Sequence, residues 1–268
     1  MALVVSADWL AARLEQDDVA IADCRFTLAD PDQGEQQYRE QHIPGAHYLH
    51  LNRDLSAPVG LHGGRHPLPA PGAIAAKLAA CGVAWGKTWL IAYDDSRSAF
   101  AARLWWLTRH LGHPRVAVLD GGWSGWQAGG YPTTAVIPAP RPQSFVAVPD
   151  TWPVADITAV RQRSPATVLI DSRTAERYRG EQEPIDPIAG HIPGAINLPW
   201  PELCTTDGYW QPPEFHAQRW SAYTDQELIV YCGSGVTACA NLLSLAIAGR
   251  DDAQLYPGGW SDWCSYAD

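Results

Sequence analysis

The chain has 268 residues, enough for one large domain or two ordinary ones that each bury a core. Lys and Arg number 19 against 29 Asp and Glu, and the resulting formal charge of −10, spread along the chain, argues against a nucleic-acid partner. No apolar run approaches the ~20 residues of a membrane span, and the amino terminus has no basic region before a long apolar stretch, so a cytoplasmic protein with no membrane partner is expected.

Taken in order, the first half contains Ile21-Ala22-Asp23-Cys24-Arg25, then His42-Ile43-Pro44-Gly45-Ala46, then the loop Gly63-Gly64-Arg65-His66-Pro67. An apolar segment, Trp89 to Tyr93, ends at Asp94, and Ala99 to His110 has the spacing of a helix before a strand at Val116 to Leu119. The stretch Leu119-Asp120-Gly121-Gly122-Trp123-Ser124-Gly125-Trp126 follows. Prolines between Val136 and Ser144 deny that stretch regular structure and suit an extended linker.

Beyond the linker the same blocks return in the same order. Leu169-Ile170-Asp171-Ser172-Arg173, His191-Ile192-Pro193-Gly194-Ala195, Leu228-Ile229-Val230-Tyr231-Cys232 and Tyr256-Pro257-Gly258-Gly259-Trp260-Ser261-Asp262-Trp263 repeat the first set at a nearly constant offset. This predicts an α/β protein of two tandem domains, residues 1–136 and 153–268 joined by 137–152, each a mainly parallel sheet flanked by helices. Trp123, Trp126, Trp260 and Trp263 hold equivalent places and read as core or interdomain packing. His42 and His191 read as turn and capping residues.

Cys232 lies between a β-branched strand, Glu227 to Tyr231, and an Ala/Leu-rich helix, Thr237 to Ala248. Gly233 and Gly235 let the loop curl so that backbone N–H groups converge, and the helix adds the positive end of its dipole. Such a cradle favours a thiolate and an anion carried on its sulfur. The bland alternative is a small buried cysteine at a strand end. Cys239 sits two turns farther on, too far for an easy disulfide. The remaining cysteines form no metal-binding spacing, so no metal or organic cofactor is implied. In the first half Asp94 stands where Cys232 stands, followed by Asp95-Ser96-Arg97-Ser98 with no glycine, so that half is expected to lack both thiol and cradle and to repel anions.

Together these residues resemble the tandem rhodanese-domain sulfurtransferases over nearly the whole chain. The resemblance implies an inactive first domain, a catalytic second one, and an interdomain site in which Cys232 carries sulfane sulfur as a persulfide. The loop Cys232-Gly233-Ser234-Gly235-Val236-Thr237 is similar to that of the 3-mercaptopyruvate enzymes, whereas thiosulfate-preferring members often have cations in the loop. The expected donor is 3-mercaptopyruvate, with thiosulfate the alternative; cyanide, a small thiol or a thioredoxin-like protein would be the acceptor. The resemblance assigns the Gly233 to Thr237 backbone as cradle, Ser234 and His66 as proton relay, and Arg177 as carboxylate anchor. Ile185 stands where a second substrate arginine is expected, leaving Arg179 or Arg173 to complete the grip, and either Asn52 or Asp54 would orient the relay. A cysteine phosphatase uses a similar cradle but normally has one more loop residue and an Arg where Thr237 and Ala238 stand. A non-catalytic binding module would be expected to lose thiol and cradle from both halves, and only the first half has lost them.

Overall fold

The computed structural model describes residues 2–267, which divide into two compact units. The first comprises the chain as far as Leu55, Pro69–Thr151 and Cys204–Trp210; the second comprises Ser56–Leu68, Trp152–Leu203 and the chain from Gln211. Two segments thus pack apart from their sequence neighbours, which a division at 137–152 does not anticipate. The linker stretch 136–148 has no helix or strand, and the Gln143 and Val148 N–H groups bond to the Ala79 and Leu111 carbonyls of the first unit.

In the first unit β1 (Val4–Val5), β2 (Val19–Asp23), β3 (Ala46–Tyr48), β4 (Trp89–Tyr93) and β5 (Val116–Leu119) form a parallel sheet in the order β1-β5-β4-β2-β3. In the second, β6 (Val168–Asp171), β7 (Ile196–Asn197), β8 (Leu228–Tyr231) and β9 (Gln254–Leu255) take the order β7-β6-β8-β9, also parallel. A parallel bridge from Val154 to Leu255 stands where β1 stands beside β5. Helices Ala101–His110 and Ala238–Ile247, close to their predicted spans, follow the central strands β4 and β8. β8 is buried along its length and β4 from Leu90 onward, as a sheet covered on both faces requires.

The repeated residues build the same framework twice. Asp23 pairs with Tyr93 in register, as Asp171 pairs with Tyr231. Arg25 and Arg173 each fork onto the aspartate two residues earlier at 2.6–3.1 Å, and each also donates to a carbonyl, of Gln41 or Gly190. The two guanidiniums lie 4.4 and 5.1 Å from the ring centroids of Trp123 and Trp260. His42 and His191 stack on Tyr38 and Tyr178 and donate from Nδ1 to the carbonyls of those same tyrosines, so both histidines close turns. Gly45 and Gly194 follow in the left-handed region, at φ 81° and 78°. Trp123, Trp126 and Trp260 are buried in their own units' cores, and Trp263 packs against the second core.

Candidate active site

Cys232 follows β8 directly and is 2 % exposed. Its loop is held by the helix Gly259–Cys264, whose Trp260 and Ser261 N–H groups donate to the Cys232 and Gly233 carbonyls, each at 2.8 Å. Gly235 is required by its backbone, at φ 71°, and by contact, because a Cβ there would overlap the Pro257 carbonyl. Gly233, Gly235 and Val236 are buried and Thr237 is half-buried at the helix N-cap. Among the described residues no protein oxygen accepts from the N–H groups of Gly233, Ser234, Val236 or Thr237, so four donors at a strand end remain for an anion. Cys239 is buried, its Sγ donating to the Gly235 carbonyl at 3.3 Å.

Ser234 Oγ lies 2.7 Å from His66 Nδ1, with both residues 5 % exposed. His66 arrives on Ser56–Leu68, so this pair is internal to the second unit. Gly63 N–H donates to Asp262 Oδ1 at 2.6 Å and Arg65 N–H to Ser261 Oγ at 3.2 Å, which ties the segment to the helix that also holds the cysteine loop. Asn52 and Asp54 belong to the first unit: Asn52 is exposed, and Asp54 accepts from the His50 N–H and pairs with Lys77.

Arg177, in the last turn of the helix Ala175–Arg179, bonds Glu183 at 2.6 Å and Asp186 at 3.1 Å. Arg179 instead pairs with Glu181 at the surface, where both side chains are about half exposed, and takes no part in this cluster. Arg173 is locked by Asp171, Glu183 and Gly190 and is 2 % exposed, so it serves the framework. Neither replaces the arginine expected where Ile185 stands. The residue overlooked in the sequence is Arg65, which pairs with Asp186 and lies with Arg177 beside Gly233: a Cβ on that glycine would sit 3.0 Å from Arg65 Nη2 and 3.5 Å from Arg177 Nη1. The loop itself contains no cation, yet two guanidiniums flank it. The available signal was the position of Arg65 immediately before His66. Burial, and then the neighbouring Arg177, pull the Arg65 guanidinium below its usual value.

The other thiols behave as apolar filler. Burial pushes Cys81 and Cys204 up to about 12 and holds Cys24 well above the ordinary thiol range, and it also raises Cys264. No group of three or more His, Cys, Asp or Glu side chains among the described residues could hold a metal ion.

The equivalent strand end of the first unit corrects the expectation that it lacks a cradle. The cradle is present, because Arg97 and Ser98 adopt the left-handed backbone, at φ 55° and 62°, that glycines would otherwise supply. It is already filled. The Asp94 carboxylate accepts from the N–H groups of Ser96, Ser98, Phe100 and Ala101 at 2.8–2.9 Å, while the Trp123 N–H donates to the Asp94 carbonyl as Trp260 does to Cys232. A cavity of about 620 Å³ opens beside it, lined in part by Asp95, Arg97, Ser124 and Tyr209, but the converging donors are occupied. Burial pushes Asp94 up to about 6 despite those hydrogen bonds. Replacing Asp94 by Asn puts an amide NH₂ against buried N–H donors, and at pH 8 the variant is expected to lose about 2–3 kcal/mol of unfolding free energy in urea titration. A loss under about 0.5 kcal/mol would show that the carboxylate does not hold this loop.

Rhodanese-like domains match residues 6–129 and 155–266. A Pseudomonas aeruginosa protein named "Probable 3-mercaptopyruvate sulfurtransferase" is 46 % identical over 271 residues, covering 98 % of this chain and 95 % of its own. The Rattus norvegicus "Thiosulfate sulfurtransferase" is 31 % identical over 278 residues, covering 97 % and 91 %. The crystal structure of the 3-mercaptopyruvate sulfotransferase SseA from Escherichia coli superposes with a TM-score of 0.84 at 32 % identity, covering 97 % of this chain and all of that one.

Proposed function

The chain belongs to the rhodanese-like family, and we propose that this sulfurtransferase moves a sulfane sulfur from 3-mercaptopyruvate to a thiophilic acceptor through a persulfide on Cys232. The observation that carries the reading is a thiol ringed by four unused backbone donors and two guanidiniums, with a hydroxyl–imidazole pair at 2.7 Å in the same loop. The Cys232 thiolate attacks the donor sulfur, the carbon–sulfur bond breaks, and its electron pair leaves as the pyruvate enolate. The proton of the donor thiol passes to that enolate carbon, with Ser234 and His66 as the relay, giving pyruvate and an enzyme persulfide anion. The loop N–H groups of Gly233, Ser234, Val236 and Thr237 hold the terminal sulfur's charge. An acceptor thiolate, a thioredoxin-like dithiol or cyanide then attacks the outer sulfur and releases the Cys232 thiolate. The cysteine is the covalent carrier, and the chemistry calls for no cofactor.

Arg177 anchors the donor carboxylate in this reading. Two guanidiniums beside Gly233 also suit the compact dianion thiosulfate, and that observation supports the second reading, a thiosulfate sulfurtransferase. No helix among the described residues is long and apolar enough to cross a membrane. All six cysteines are buried and none is in a disulfide, which supports a reducing, cytoplasmic setting.

The test is turnover with 3-mercaptopyruvate against thiosulfate, with intact mass to detect the one-sulfur adduct. A higher kcat/KM with 3-mercaptopyruvate is expected, and a strong thiosulfate preference would overturn the donor assignment. Arg177→Ala should raise KM for 3-mercaptopyruvate by about 10–100-fold through the lost charge-assisted bonds, and an unchanged KM would remove Arg177 from the site.

A further inference from the structure

We infer that the cavity beside Asp94 in the first unit is a second ligand site, distinct from the thiol site, and that it takes a basic α-amino acid.

The first unit builds this cavity from the same parts that surround Cys232 in the second: a strand end, the loop after it, a Gly-Gly-Trp helix, and a segment from the other half of the chain. In the second unit that segment is Ser56–Leu68, with Gly64-Arg65-His66; in the first it is Cys204–Trp210, with Gly208-Tyr209-Trp210. Gly64 and Gly208 are both left-handed, at φ 77° and 85°. Trp210 Nε1 donates to Ser98 Oγ at 3.1 Å, as His66 meets Ser234 Oγ, and the Trp210 N–H donates to Asp120 Oδ1 at 2.9 Å. The Tyr209 ring packs on the glycine face of the helix, where a Cβ on Gly121 would overlap it. These contacts fix the wall before any ligand binds.

What differs is the charge. The cavity, of about 620 Å³, is lined in part by Asp95, Arg97, Ser124, Thr206, Asp207 and Tyr209. Asp94 is spent on the loop N–H groups, so two carboxylates and one guanidinium remain, and no ion pair joins Asp95, Asp207 or Arg97 to one another or to any other described residue. Arg97 stands where Gly235 stands in the second unit and keeps the left-handed backbone, at φ 55°, that glycine adopts without strain. A guanidinium retained at a strained position points to use of its side chain. A ligand that meets all three charges carries one carboxylate and two cations, which is the pattern of free lysine or arginine. Its carboxylate goes to Arg97, its two cations to Asp95 and Asp207, and its methylenes to the Tyr209 ring. The volume falls within the range of ~300–1,000 Å³ that ligand cavities occupy.

The experiment titrates the full chain with L-lysine by isothermal calorimetry. Saturable binding with Kd below about 5 mM is expected, unchanged in Arg177→Ala. Arg97→Gly removes the guanidinium while suiting the backbone, and Asp207→Asn alters an exposed loop residue; circular dichroism checks that each is folded. Each should raise Kd by about tenfold or more through a lost charge-assisted contact. L-lysine methyl ester and Nα-acetyl-L-lysine, which each lack one of the charges, should bind the wild type about tenfold or more weakly, and L-glutamate should give no saturable heat. No saturable L-lysine binding below about 5 mM overturns the site, as does an affinity unchanged in Arg97→Gly or Asp207→Asn. Loss of binding in Arg177→Ala places the amino acid at the thiol site and overturns the proposal too. An ester, acetylated lysine or L-glutamate that binds as tightly as L-lysine overturns the ligand class. Sulfur transfer is not part of the readout, so the donor assignment stands or falls separately.

Discussion

Cys232→Ala is expected to reduce sulfur transfer by roughly 10³–10⁶-fold with either donor and to abolish the one-sulfur mass adduct, because removing a nucleophile removes the covalent route entirely. The substitution is small and lies in a loop held mainly by backbone bonds to Trp260 and Ser261, so the fold should survive. The other five thiols offer no substitute. Four of them, Cys24, Cys81, Cys204 and Cys264, are raised by burial, and Cys239 already donates to the Gly235 carbonyl. Cys232→Ser is the sharper comparison, since it keeps the shape and a hydroxyl and should be equally inactive at neutral pH. Turnover within about tenfold of the wild type in either variant would sink the persulfide mechanism.

Asp171→Ala is expected to destabilise the second unit by about 3–5 kcal/mol, read as a lower urea midpoint with an unchanged slope. Asp171 is fully buried and receives the Arg173 fork at its carboxylate and the Arg173 N–H at 2.9 Å, so its removal strands a guanidinium that is itself 2 % exposed. The remaining partners, Glu183 at 3.1 Å and the Gly190 carbonyl, do not neutralise the charge as Asp171 does. Glu183 also holds Arg177, so the same variant should raise the donor KM by drawing that carboxylate toward Arg173. A loss below about 1 kcal/mol would mean that water or a shifted neighbour replaces the aspartate, and that this pair is not the unit's buried support.

Much of this was legible because it is local or repeated. The strand, glycine loop and helix around Cys232 announce themselves through nearest-neighbour periodicity and turn chemistry, and their observed spans, Leu228–Tyr231 and Ala238–Ile247, differ from the predicted ones by no more than one residue at any boundary. The duplicated Asp-x-Arg and His-Ile-Pro-Gly-Ala blocks are visible as text, and each copy folds into the same ion pair and the same stacked turn. Arg179 and Arg65 were beyond such reasoning. A shift of two residues along a short helix, from Arg177 to Arg179, decides whether a guanidinium meets Glu183 in the interior or Glu181 at the surface, and no local pattern encodes that choice.

The sequence by itself determined the duplicated α/β framework, the thiol at the end of a central strand and the aspartate that stands for it in the first half, since these depend on residue type and short spacing. Only the tertiary structure decided that Ser56–Leu68 packs with the second unit, bringing Arg65 and His66 to the Cys232 loop, and that Asp94 fills a cradle formed without glycines. The physical reason is the same in both cases. Where a charge ends up is settled by which buried donors and carboxylates lie within hydrogen-bond reach after the chain has folded, and those partners come from segments far apart in sequence.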